Sequence, residues 1–140
     1  MREYSGVHDF RDLDVWKWCR ELRKDVELLA TKLPRHEQSR LADQMVRAAR
    51  SVTANLAEGF GRFHYQESIQ SCRMARGSLS ELLDHLQVAL DNKYLDAKTL
   101  AELESRVNSG TKLINGFIRY LSLRKNGAGV GRSTGKSINR

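Results

Sequence analysis

Proline and cysteine are scarce in this chain, and long apolar runs are absent from it. Pro34 is the one proline among 140 residues, which favours helices over an all-β domain with its many turns. Cys19 and Cys72 are too few and too isolated for a disulfide framework or a zinc site, so we expect a reduced, cytoplasmic protein. No stretch approaches the ~18 apolar residues of a membrane span, and the N-terminus lacks the apolar core of a secretory signal.

Acidic residues are missing from the end of the chain. The net charge is +7, and the segment from Arg124 onward supplies +5 of it, through five basic residues and no acid. The first 123 residues carry 19 basic and 17 acidic side chains and are nearly balanced. We expect the glycine-rich residues 124–140 to form a flexible basic tail. Such a tail is either a solubilising end or an electrostatic arm for nucleic acid.

Apolar residues recur every three or four positions in four segments, which predicts four helices. We expect these helices near residues 12–31, 37–60, 66–92 and 96–126, with Asp12 and Asp96 as N-caps. The connections between them are short, so consecutive helices must be antiparallel neighbours. The predicted fold is all-α: an antiparallel up-down-up-down four-helix bundle over residues 12–123, preceded by an extension over residues 1–11.

Motifs for catalysis, metal binding or cofactor binding are not found. The four histidines are scattered, and only His85 follows an acid, Glu81, at helical spacing. A di-iron bundle needs two Glu-x-x-His motifs and further glutamates. The tail segment 129–137 resembles a phosphate-binding loop, but Val130 stands where the leading glycine belongs and no strand precedes it. We therefore expect a protein that is not an enzyme and has no metal and no cofactor.

The segment from Arg47 to Arg62, RAARSVTANLAEGFGR, combines a helical pattern with an unusual polar stripe. Serine and asparagine are poor helix formers because their side chains compete for backbone hydrogen bonds. Mid-helix glycines, Gly77 in the third helix and Gly110 and Gly116 in the fourth, each cost about 1 kcal/mol against alanine, and close helix approach would offset this cost. We predict that Ser51, Asn55 and Glu58, which form this stripe, face Ser78 and Glu81 of the third helix as a five-residue polar layer. The residues assigned to fold and assembly on this basis are Ser51, Asn55, Glu58, Gly59, Gly61, Gly77, Ser78 and Glu81.

Arginine, without lysine, is frequent between residues 40 and 76. Its guanidinium suits bidentate contacts with phosphate or carboxylate. These arginines either bind nucleic acid or pair with acids within the bundle or between subunits. Together with cations of the tail they form the candidate nucleic-acid-binding set: Arg40, Arg47, Arg50, Arg73, Arg76, Arg124, Lys125, Arg132 and Lys136.

Four motifs in order carry a resemblance to a known family. They are FRDLDVW (10–16), LPRHE (33–37), QMVRAARSVTANLAEGFGR (44–62) and ARGSLSEL (75–82), and together they resemble the bacterial four-helix-bundle proteins named for 23S rRNA intervening sequences. The resemblance covers roughly residues 8–122. It implies a cytoplasmic antiparallel four-helix bundle assembled as a ring-like homopentamer. Related bundles are accessory variability proteins of diversity-generating retroelements, which bind a reverse transcriptase and nucleic acid through a basic surface.

The resulting hypothesis is a non-enzymatic, nucleic-acid-binding oligomeric accessory protein. Its partners would be RNA or DNA and either a reverse transcriptase of the retroelement type or an RNA-associated assembly. The alternative is a protein-interaction scaffold with an acidic partner and no nucleic-acid contact. The two differ in whether partner capture survives nuclease treatment.

Overall fold

Four α-helices account for most of the chain. The computed structural model describes Tyr4, residues 6–62 and residues 64–131, with side chains described as far as Gly127. The helices are α1 (Asp14–Ala30), α2 (Leu41–Phe60), α3 (Tyr65–Asp91) and α4 (Ala97–Gly131). Within this part of the chain there is no β-strand, and no helix is long and apolar enough to cross a membrane. The all-α prediction is confirmed.

The four helices pack around one core. Each helix contacts the next along the chain, and α1 also contacts α4. Among the described residues, α1 and α3 have no Cα atoms within 8 Å of each other, and neither have α2 and α4. The predicted apolar stripes supply the core, in which Val26, Met45, Leu56, Leu82 and Ile114 are completely buried. This closed arrangement of four neighbours is that of a four-helix bundle.

Two of the predicted helix starts differ from the structure. α1 begins at Asp14, because Asp12 accepts hydrogen bonds from the backbone N–H groups of His8 and Asp9 and so completes a 3₁₀ turn ahead of the helix. α2 begins at Leu41 and not near residue 37, because residues 35–37 form another 3₁₀ turn. At α4 the predicted cap is confirmed: the Thr99 N–H donates to Asp96 Oδ1 at 2.8 Å.

The end of α4 lies further along the chain than predicted. We expected the helix to end by residue 127 and a flexible tail to begin at Arg124, but residues 124–131 are helical. Glycine lowers helix propensity without removing a backbone donor, and no proline follows Pro34 to stop the helix. Lys125 also donates a hydrogen bond to Gln66 of α3, which ties this last part of α4 to the bundle. Residues 132–140 lie outside the described part of the chain.

Candidate nucleic-acid interface

The predicted polar layer joins α2 to α3 through three residues. Ser78 Oγ donates to Ser51 Oγ across the two helices at 2.9 Å. Asn55 Nδ2 donates to Ser51 Oγ at 3.1 Å and to the Ser51 carbonyl at 2.9 Å. Each hydroxyl and amide in this chain of contacts has a partner, so the helices are linked at a fixed register without an unsatisfied polar group.

Two carboxylates that we expected in this layer are not part of it. Glu58 pairs with Arg62, and Glu81 lies 3.1 Å from His85 Nε2. Both partners lie four residues further along the same helix, where side chains meet on the outer surface. The prediction of a five-residue layer was therefore wrong in its charged members. The helix-to-helix link consists of neutral groups alone.

The glycines of the two helices have different surroundings. A Cβ atom on Gly59 would lie 3.1 Å from the Ser68 carbonyl oxygen of α3, so the two backbones approach closely there. At Gly77 a Cβ atom would meet nothing within 4 Å, and Gly61 ends α2 with a right-handed φ of −85°. The predicted close approach thus occurs at Gly59 and not at Gly77. Gly110 of α4, where a close approach was also predicted, is a second such site: its Cβ would lie 3.2 Å from Leu79 Cδ1, whereas a Cβ on Gly116 would meet nothing within 4 Å.

Arginines of the second helix are engaged with acids. Arg50 Nε donates to Glu27 of α1 at 2.8 Å, and this bond holds the pKa of the Glu27 carboxyl below its ordinary value. Arg47 Nε donates to Asp43 of its own helix at 2.9 Å. Arg40 precedes α2 and is not on its helical surface. Both arginines that lie on α2 are thus paired with a carboxylate, which lowers the net positive charge of this part of the predicted set.

Arginines of the third helix keep their charge uncompensated. Arg76 Nη1 donates to the amide oxygen of Asn115 on α4 at 2.6 Å, which orients the guanidinium without neutralising it. Arg73 is exposed and has no acidic partner among the described residues. Both arginines belong to a stretch of α3, residues 68–80, that contains no Asp and no Glu.

The fourth helix contributes a second acid-free stretch beside the first. After Glu104 the sequence has no acidic residue at all. The contact from Arg76 to Asn115 places this part of α4 against the acid-free stretch of α3, and the contact from Lys125 to Gln66 continues the packing to the first turn of α3. The cations on the two stretches form what we call the α3–α4 basic face: Arg73, Arg76, Lys112, Arg119, Arg124 and Lys125.

Two members of this face, Lys112 and Arg119, were missed by the sequence analysis. They lie three residues before and four residues after Asn115, so they share its side of α4. Arg106 also lies in the acid-free stretch, but its Nη1 donates to Asp25 of α1 at 2.6 Å, and it is not counted in the face. The signal that could have found the two residues is the absence of acids, which begins at residue 105 and not at residue 124.

Aromatic residues anchor one end of the face. The Arg124 guanidinium carbon lies 5.6 Å from the centroid of the Tyr120 ring, and a hydrogen bond with Tyr65 of α3 raises the pKa of Arg124. Tyr4 packs on the same ring, with centroids 4.3 Å apart, and also reaches Phe117 at 5.5 Å. The N-terminal extension and the start of α3 therefore hold this end of α4 in place. Arg132 and Lys136, the remaining predicted cations, lie outside the described residues.

Metal-binding and nucleophilic groups do not form a site in the described part of the chain. No group of three His, Cys, Asp or Glu side chains could hold a metal ion there. Cys19 and Cys72 are buried free thiols, and burial raises the pKa of each to about 12. A thiol with so high a pKa is protonated at neutral pH and is a poor nucleophile.

Known proteins similar to this chain support the fold and identify the family. A crystal structure of a protein of unknown function from the S23 ribosomal protein family of Bacteroides thetaiotaomicron VPI-5482 superposes with a TM-score of 0.68 and 19% identity, covering 74% of this chain and 97% of that one. At this identity the likeness concerns the fold alone. No curated protein matches the chain. The model of the 23S rRNA-intervening sequence protein family matches residues 11–116, most of the chain, and the protein therefore belongs to that family.

Proposed function

We propose that this protein is a non-enzymatic, RNA-associated protein that holds nucleic acid by the phosphates, through the α3–α4 basic face. The observation that carries the proposal is the surface formed by the acid-free stretches of two helices, with six cations that have no carboxylate partner among the described residues. Lysine and arginine side chains bind phosphate oxygens and release the counterions condensed on the nucleic acid. The family description, which names a 23S rRNA intervening sequence, supports RNA as the nucleic acid.

The strength of this interaction should depend steeply on salt. Each phosphate contact changes the slope of log K against log salt by about −0.9 on a duplex and about −0.7 on a single strand. If all six cations bind phosphates, affinity should fall about 10³-fold between roughly 50 and 200 mM salt. Gel-shift or anisotropy titrations of labelled RNA at several salt concentrations measure this slope directly. A slope near zero, or no binding at low salt, contradicts the proposal.

A pair of substitutions with equal charge change tests the location of the face. Gln70→Lys adds a cation to the acid-free stretch of α3, and Glu21→Gln removes an exposed acid from α1, so each raises the net charge by one. If the α3–α4 basic face binds phosphates, Gln70→Lys should steepen the salt slope by about one contact, while Glu21→Gln changes it little. Equal effects of the two variants would mean that only the overall charge matters and would refute the assignment to this face.

An antiparallel order of the helices within each subunit, and a ring of such subunits, are part of the same proposal. The antiparallel order is supported by contacts between successive helices, in which residue numbers rise on one helix and fall on the next: Glu27–Arg50 and Arg23–Thr53, Ser51–Ser78 and Gly59–Ser68, Gln66–Lys125 and Arg76–Asn115. The count of five subunits comes from the family resemblance. A ring would repeat the basic face and raise the avidity for a long nucleic acid. Native mass spectrometry gives the subunit count, and a monomer at micromolar concentration would contradict the ring.

An acidic protein partner would be attracted to the same face and is the competing outcome of these experiments. Affinity purification with and without nuclease separates the two, because partner capture that survives nuclease does not depend on nucleic acid. No observation on this chain concerns a reverse transcriptase, and that partner stays a prediction, as does a cytoplasmic location.

A further inference from the structure

We infer that the ligand of the α3–α4 basic face is a double helix, held by the phosphates of both strands and not by its bases. This inference rests on the proposed function and adds to it the class of nucleic acid. It follows from three features of the face: the absence of a free aromatic ring, the arrangement of its cations in two rows, and its position on the outside of two rigid helices.

Aromatic rings on this face are not available to bases. Proteins that bind single strands without sequence preference stack successive bases on aromatic side chains. In residues 105–127 of α4 the aromatics are Phe117 and Tyr120, and α3 contributes only Tyr65 at its first position. Phe117 is 2% exposed, the Tyr120 ring is contacted by Tyr4 and by Arg124, and Tyr65 is hydrogen-bonded to Arg124. The described part of the face therefore offers no stacking platform.

Side chains between the cations also favour contacts with the backbone of a nucleic acid. Gln66, Gln70 and Asn115 carry amides, and such groups serve in protein–nucleic acid complexes as donors to phosphate and sugar oxygens. The apolar side chains exposed nearby, Met74 and Leu123, have no π face on which a base could stack. These amide and apolar side chains therefore provide few contacts to the bases of a single strand, which would be bound mainly through its phosphates.

The cations form two rows on neighbouring helices. Lys112 and Arg119 are seven residues apart, so they share one side of α4 and lie about 10 Å apart along it. Lys125 lies about 9 Å further along and is turned toward Gln66 of α3, and the three cations together span about 20 Å of the helix. Arg73 and Arg76 lie on α3, whose axis packs about 8–10 Å away. The charged ends of these long side chains can lie closer together or farther apart than the helix axes. They can therefore reach phosphates on both sides of a groove of a B-form duplex, about 6 or 12 Å wide, or of the wide, shallow minor groove of an A-form RNA duplex.

A rigid face of this kind favours a duplex, whose phosphates are already fixed, over a flexible single strand. The rows are fixed to packed helices, and the Arg76 guanidinium is held by Asn115. A duplex presents its phosphates already fixed, at about 3.4 Å per base pair along each strand, so the span of about 20 Å from Lys112 to Lys125 corresponds to about six base pairs. A single strand would have to be ordered on a surface that offers no free aromatic ring among its described residues, so less stacking offsets the lost entropy.

The experiment compares four nucleic acids of one length by fluorescence anisotropy: duplex RNA, duplex DNA, and an unstructured single strand of each. Length is set at about 20 base pairs, which exceeds the stretch covered by one face. We expect both duplexes to bind at least about 10-fold more tightly than either single strand, and duplexes of permuted sequence to bind equally. The RNA and DNA arms show whether the 2′-hydroxyl contributes.

Variants connect the result to the face. Arg73→Gln with Arg119→Gln removes one cation from each row and should reduce the duplex salt slope by about two contacts. Lys17→Gln with Lys24→Gln removes two exposed cations from α1 and serves as the matched control, with folding of all variants checked by circular dichroism. If a single strand binds as tightly as the duplexes, and the double variant of the face binds that strand more weakly, the proposed nucleic-acid binding by this face is supported and the duplex inference fails. If none of the four binds, the proposed function fails as well.

A strong dependence of the affinity on duplex sequence would overturn the inference that the face binds phosphates and not bases. Phosphate contacts carry no direct sequence information, whereas base contacts in the grooves discriminate between base pairs. Affinities that differ more than about 10-fold among permuted duplexes would show that bases are read.

Discussion

Replacing Gly59 by alanine tests the closest approach between α2 and α3. The added Cβ atom would lie 3.1 Å from the Ser68 carbonyl oxygen, 3.3 Å from Ser71 Cβ and 3.4 Å from Cys72 Sγ. The nearest of these atoms belongs to the α3 backbone and cannot rotate away, so the helices must separate or shift. Overpacking of this kind costs about 1–3 kcal/mol. Alanine gains about 1 kcal/mol of helix propensity over glycine, and the net expectation is a loss of about 0–2 kcal/mol.

Two other glycines supply matched controls. Gly77 of α3 and Gly116 of α4 are also within helices, and a Cβ atom on either meets nothing within 4 Å. Alanine at these positions gains the same propensity without the steric cost, so each control should be stabilised by about 1 kcal/mol. The gap between Gly59→Ala and the controls is therefore the overpacking cost alone, about 1–3 kcal/mol.

Urea denaturation at matched protein concentration measures these differences, and thermal melts should show a gap of roughly 3–10 °C for a chain of this size. If Gly59→Ala is stabilised as much as the controls, the close approach of α2 and α3 does not exist and the reasoning is refuted. A loss for Gly77→Ala together with a gain for Gly116→Ala would instead show that a second subunit packs on Gly77.

Three further predictions follow from individual contacts. Ser78→Ala leaves Ser51 without its donor across the helices and should cost about 0.5–1.5 kcal/mol in urea denaturation. Tyr94→Phe removes the hydrogen bond that the Tyr94 hydroxyl donates to Glu37. This bond lowers the pKa of Glu37 below 4.5 and raises the pKa of Tyr94 above 10.0. The melting temperatures of wild type and variant should therefore differ near neutral pH and converge as the pH falls well below 4.5 or rises well above 10.0. Both cysteines should react with a thiol reagent only as fast as the protein unfolds, and rapid labelling without denaturant would contradict their burial.

Local signals allowed most of the fold to be predicted. Apolar spacing predicted four helices, and Asp96 was recognised as an N-cap because the residue type and the start of the stripe coincide. The Ser51–Ser78 link was predicted from poor helix formers on facing helices. The helix starts at Asp14 and Leu41 were missed because 3₁₀ turns precede them, and such turns have no period that a short segment reveals.

The location of the basic face could not be predicted from the positions of arginines. Arg50 and Glu27 are 23 residues apart, and only the register between α1 and α2 brings them together. Lys112 and Arg119 stand alone in the sequence, and become part of a face only when α3 lies beside them. Charge counts along the chain cannot distinguish a cation that is paired across helices from one that is not.

The absence of acidic residues locates the basic face better than the positions of the arginines do. Acids number 17 in 140 residues, so at that frequency the stretches 68–80 and 105–127 together would hold about four, and they hold none. Packing does not explain this, because the outer positions of a bundle helix accept either sign of charge, as Glu21, Lys24 and Asp25 on α1 do. The two stretches are separated in sequence, yet the contacts from Arg76 to Asn115 place them side by side. A constraint that keeps acids out of these two stretches, which are distant in sequence and adjacent in the fold, acts on the folded surface, and binding of a polyanion is a constraint of that kind.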